Sequence, residues 1–142
     1  MANRFSLRDL FLLHVAAWLP LGIAALWALG GGSAAKAVDF GFTYGSALLF
    51  LAVGTRFGMH YGRFNALTWH QKLMVFVPLI GIVAMLSTGD ARLGILIAGF
   101  GAQGAIDAWG GYAGVVPDRY VQARLFGTGL VVATLIILIV FV

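Results

Sequence analysis

The chain has 142 residues, 61% of them hydrophobic and 10% charged, with a formal net charge of +4 and a mean hydropathy of +0.97. So few charges could not cover a water-soluble core of this size, which excludes an ordinary soluble domain and makes the bilayer the solvent. The absence of cysteine excludes disulfides, thiolate metal sites and cysteine nucleophiles, and basic residues scattered singly between apolar spans indicate membrane-surface anchors rather than nucleic-acid binding.

Met1–Asp9 is a short polar start with Arg4 and Arg8, and Ser6-Leu7-Arg8-Asp9 fits a helix start with a Ser cap and an acid three residues on. Leu10–Leu29 is the first span, with Trp18 and Pro20 inside it. It is longer than the roughly 7–15 residues of a signal-peptide core, so a retained helix is expected. Gly30–Phe40, rich in Gly, Ser and Ala, is predicted as a loop.

Phe42–Gly62 is the span around which the chain is organised. Its length suits a hydrocarbon core of about 30 Å at about 1.5 Å per residue. Gly54, Gly58 and Gly62 recur every fourth position, a spacing that lets another helix backbone approach closely. Arg56 and His60 are also four apart, but lie roughly 200° round the helix from the glycines.

Arg63–Lys72 is predicted as a polar connector carrying His70, with Trp69 as an interfacial anchor. Leu73–Thr88, containing Pro78 and Gly81, is the third span, and Gly89-Asp90 makes a tight turn. Leu93–Trp109 is the fourth, weakening into Gly and Ala around Gln103 and Asp107. Gly101 and Gly104 suit it to close helix packing. Gly110–Arg124 is predicted as a loop, and Leu125–Val142 is the last span.

The expected fold is therefore all-α: a single transmembrane domain over residues 1–142, with spans near 10–29, 42–62, 73–88, 93–109 and 125–142. The face shared with the N-terminus collects Arg4, Arg8, Arg63, Lys72, Arg119 and Arg124, against Lys36 and Arg92 on the other. The positive-inside rule then predicts N-in, C-out.

In that topology His14, Arg56, His60, Gln103 and Asp107 share the inner third of the bundle. Such groups are expensive in lipid. They form either a polar vestibule or proton relay, or a buried network that holds the helices together, and the structural role is the expected one. Arg56 is expected to pair with Asp107, because a planar guanidinium can meet a carboxylate with two hydrogen bonds. Removing either charge should then be worse than exchanging the two. No residue pattern indicates a metal, cofactor, phosphate loop or nucleophile, so no enzymatic activity is expected.

Tyr44, the stretch Gly54–Gly58, Pro78, Asp107 and the stretch Pro117–Thr128, in that order along the chain, resemble the motifs of the transmembrane protein 69-like family of small polytopic inner-membrane proteins. The family has a tyrosine opening an apolar span that ends in Gly-x-His-Trp-Gly; here Tyr44 opens the span and Gly54-Thr55-Arg56-Phe57-Gly58 ends it, with Arg for His and Phe for Trp. A proline-containing span matches Val77-Pro78-Leu79, and an aspartate closing the next span matches Asp107. The family's Pro-x-Trp-Tyr-x-x-x-Arg-Leu-x-x-Thr matches Pro117, Tyr120, Arg124, Leu125 and Thr128, with Arg119 in place of Trp. The resemblance covers about two-thirds of the chain and implies a bacterial or mitochondrial inner membrane, with no activity attached. The expected role is an accessory or assembly partner of a larger membrane complex; a small oligomeric transporter or channel is the alternative. Expected partners are membrane lipid and either other membrane-protein subunits or further copies of the chain.

Overall fold

The computed structural model describes the backbone of residues 6–61 and 69–142, and side chains within those ranges except 59–61, 70 and 71. The fold is all-α: α1 (Leu7–Leu29), α2 (Ala34–Tyr61), α3 (Trp69–Met74), α4 (Phe76–Leu86), α5 (Ala91–Tyr112) and α6 (Asp118–Val140). Three segments, Leu7–Leu29, Ala34–Gly58 and Asp118–Val140, are long and apolar enough to cross a membrane. α5 has the length, with 22 residues, but carries Arg92, Gln103, Asp107 and repeated glycines.

Local chemistry sets the ends and breaks. Ser6 and Asp9 form a reciprocal capping box at the start of α1. α1 runs unbroken through Pro20, whereas the predicted third span is interrupted at Val75. Pro78 accounts for that break: lacking an N–H, it cannot donate to the carbonyl of Met74 four residues back. Gly89 and Gly114 take positive φ (63° and 70°) in the turns before α5 and α6.

Two predicted loops are largely helical. Within 30–40, α2 already begins at Ala34, with Ser33 Oγ accepting from Lys36 N–H at 3.5 Å and Ala37 buried. Within 110–124, α5 continues to Tyr112 and α6 starts at Asp118. Small residues read as helix breakers here serve as contact points. A Cβ on Gly111 would lie 2.8 Å from Val121, and one on Gly41 would lie 2.5 Å from Leu138.

Successive contacts fix the helix directions. α1 and α6 run parallel: Phe11 packs on Phe126 with ring centroids 5.0 Å apart, His14 lies on Gly127, and Trp18 Nε1 donates to Thr134 Oγ1 at 2.8 Å. α2 runs antiparallel to both. Tyr44 donates its hydroxyl proton to the Ala17 carbonyl at 2.8 Å, while Gly41 and Gly45 face Leu138 and Leu135 of α6. α5 lies parallel to α2, with Gly45 beside Leu96 and Leu49 beside Gly99, and antiparallel to α6. α4 sets Gly81 against Leu49 and Phe50, and Ile80 against Gly99. Leu21, Leu49, Leu93, Leu96 and Leu135 are fully buried at these crossings.

Outward faces carry Leu12, Leu26, Val83, Leu86 and Val140 in the open, Leu86 being 81% exposed. That much exposed apolar surface suits lipid rather than water. At the end of the bundle remote from Arg56, Arg92 pairs with Asp39 and lies over the Phe42 ring, joining α5 to α2.

The Trp18–Thr134 bond gives a direct test of the α1–α6 register. Thr134→Val should lower the unfolding free energy in detergent by about 1 kcal/mol, and more than Trp18→Phe does. The first leaves an indole N–H without its acceptor; the second leaves a hydroxyl that still donates to the Leu130 carbonyl. Thermal melts of the two variants would show the order.

Candidate functional site

Residues 49, 53 and 56 of α2, and 103, 107 and 110 of α5, follow the i, i+4, i+7 spacing of one helix face. The two parallel stripes meet. Arg56 Nε lies 3.1 Å from Asp107 Oδ1, with side chains 2% and 0% exposed, so the two residues meet as expected, but through a single ion contact and not the two hydrogen bonds expected of the fork. Gly110 makes room for it: a Cβ there would sit 2.5 Å from Arg56 Nη2. Gln103 Nε2 reaches Asp107 Oδ2 at 3.4 Å and is itself fully buried.

A third partner comes from α6. Arg124 Nε stands 3.4 Å from Asp107 Oδ2, so one carboxylate serves two guanidinium groups and the cluster has a formal charge of +1. The sequence marked Arg124 as a basic residue of the inner face and, with Tyr120, as part of the family motif, and placed both in a loop. Helical register from Asp118 onward is what aims Arg124 inward.

The other expected members divide. His14 belongs to a neighbouring feature, its Nδ1 bonded to the Leu10 carbonyl at 2.8 Å and its ring against Gly127. The side chain of His60, and Gly62 and Arg63, lie outside the described residues. Gly54, Gly58 and Gly101, expected to pack against helices, are exposed and a Cβ on any of them would meet nothing within 4 Å. Among the described residues Gly54 and Gly58 of the expected seam are therefore not helix contacts. Gly104 is buried, with Leu125 and Thr128 at ordinary contact distance. The close approaches instead use Gly41, Gly45, Gly99, Gly110 and Gly127, of which Gly41 and Gly45 are four apart and face Leu138 and Leu135 of α6.

Beside the cluster lies a cavity of about 420 Å³ between α1, α2, α5 and α6. Its wall grades from polar to apolar along the helices. His14, Thr55, Tyr120, Arg124 and Thr128 surround one end; Trp18, Leu48, Phe100 and Val131 surround the other. Tyr120, Arg124 and Thr128 at the start of α6 thus face one space. No family model, curated protein or solved structure matches the chain.

Proposed function

We propose that this chain is a multi-pass inner-membrane protein of five crossings, N-in and C-out, that serves as an accessory or assembly partner of a larger membrane complex. The alternating directions of α1, α2, α4, α5 and α6 support five passes, with α3 and α4 sharing the third. Arg8, Arg119, Arg124 and Lys72 gather at one end. At the other lie Lys36 and Arg92, and the excess of basic residues at the first end supports the orientation by the positive-inside rule.

The accessory role rests on one observation: the glycines of α2 and α5 that invite helix docking are open to the outside, while the charged groups within the bundle are engaged with one another. Connections between the described helices are a few residues long, too short for a catalytic domain of their own. Purification in mild detergent followed by mass spectrometry tests the reading. A membrane subunit should co-purify in stoichiometric amount and be lost from Gly54→Leu/Gly58→Leu, whose melting temperature stays at the wild-type value because the added side chains meet open space. A homo-oligomer without foreign subunits would support the transporter or channel reading instead, which the cavity beside the cluster favours.

A further inference from the structure

We propose that the cavity between α1, α2, α5 and α6 is a binding site for a single-chain anionic amphipath, a long-chain carboxylate whose head group is held by Arg124. This goes beyond the accessory role and does not depend on it.

Charge selects the head group. No acidic residue lines the cavity, and among the described residues the carboxylate beside Arg124 is Asp107, which it shares with Arg56. Arg124 Nη2 is buried and has no hydrogen-bond partner among the described residues. Arg124 Nε faces Asp107 Oδ2 at 3.4 Å, so it is the outer end of the guanidinium that remains for a second carboxylate, whose oxygens match its planar geometry. Arg124 carries a permanent charge, and Tyr120 and Thr128 of its own helix, which also line the cavity, bring hydroxyls that can donate to an anion; His14 Nδ1 and the Thr55 hydroxyl are already committed to the Leu10 and Ala52 carbonyls.

Shape selects the tail. The stretch from Leu10 to Trp18 on α1 gives the cavity a length of about 12 Å at about 1.5 Å rise per residue. Its far end is Trp18, Leu48, Phe100 and Val131, surfaces suited to an alkyl chain. Leu13 and Leu51 line the space yet are 57% and 60% exposed, so the mouth opens sideways between α1 and α2, where the bilayer would lie. A volume of about 420 Å³ is near the lower end of the roughly 300–1,000 Å³ typical of ligand sites, which favours one chain over the two chains and glycerol of a phospholipid. Arg124 is six residues into α6 and His14 seven into α1, about 10 Å from the helix starts, a depth that a carboxylate entering from the membrane surface can reach.

The test is photolabelling of the purified full chain in detergent at pH 8 with diazirine-bearing palmitate, with labelled peptides read by mass spectrometry. Saturable labelling should fall on the 10–18, 48–55 and 120–131 segments. Palmitate should compete at least about tenfold better than hexadecanol, which keeps the chain but lacks the charge; that ratio is what one charged hydrogen bond supplies. Ala52→Phe, which fills the middle of the cavity without touching the charge cluster, should abolish the labelling while keeping a monodisperse elution profile, and Arg124→Gln should weaken it about tenfold. Competition on the wild-type chain stands whether or not these variants fold. Equal competition by hexadecanol, undiminished labelling of folded Ala52→Phe, or stronger competition by dioleoylphosphatidylglycerol than by palmitate would each overturn the proposal.

Discussion

Asp107→Ala is expected to be the most damaging charge removal in the bundle, lowering the free energy of unfolding in mild detergent by about 3–5 kcal/mol. The reason is the three-way sharing of its carboxylate. Without it, Arg56 and Arg124 face each other inside the bundle with no counter-charge, and both are desolvated. Arg56→Ala should cost less, about 2–3 kcal/mol, because Asp107 keeps Arg124 and Gln103. Asp107→Asn, which keeps an acceptor oxygen, should fall between wild type and Asp107→Ala. Arg124 also changes what a charge exchange can do. Arg56→Asp/Asp107→Arg would place a new guanidinium beside Arg124, so the exchange should fail to restore stability, contrary to the two-residue expectation. Denaturant titrations followed by tryptophan fluorescence would give the order; wild-type stability in Asp107→Ala would remove the cluster from any structural role.

The second large effect is at the α1–α6 crossing. A Cβ at Gly127 would lie 2.5 Å from His14 Cδ2 and 3.0 Å from its Cβ and Cγ. The His14 Cβ cannot swing away, and the ring is held by its bond to the Leu10 carbonyl. Ala in place of Gly gains about 1 kcal/mol of helix propensity, while overpacking costs about 1–3 kcal/mol. Gly127→Ala should therefore be a net loss of up to about 2 kcal/mol, and Gly127→Val should lose more, because β-branching adds bulk at the same point. The double variant His14→Ala/Gly127→Ala should recover most of the loss, a coupling that a double-mutant cycle measures. Additive losses would mean that the two helices do not meet there.

How much of this was legible in the chain depended on which physical signal each part carries. Apolar length revealed α1, α2 and α6, since a span of that kind has few other uses. The Arg56–Asp107 pair was legible because unpaired charges are costly in lipid and the available candidates are few. Arg124 was hidden by its neighbours: Gly110, Gly111, Gly114 and Pro117 resemble one long loop, whereas Gly110 and Gly111 remain helical because Arg56 and Val121 press onto them. The glycines themselves carry a one-sided signal. A small residue permits close approach, but only tertiary placement decides whether anything approaches, which is why Gly54 and Gly58 are open while Gly41 and Gly45, at the same spacing on the same helix, are closed.

The charge cluster also imposes an order on biosynthesis. Arg56 is made about fifty residues before Asp107, and Arg124 later still. At about 5–20 residues per second, α2 waits several seconds for its carboxylate, too long for a guanidinium to sit alone in hydrocarbon. During that interval α2 must remain beside the insertion machinery, or ride close enough to the surface for Arg56 to stay hydrated, and sink to its final depth only when α5 arrives. Assembly of this bundle is thereby tied to translation of its second half, and a chain cut short before Asp107 would present the membrane with a helix it cannot fully accept.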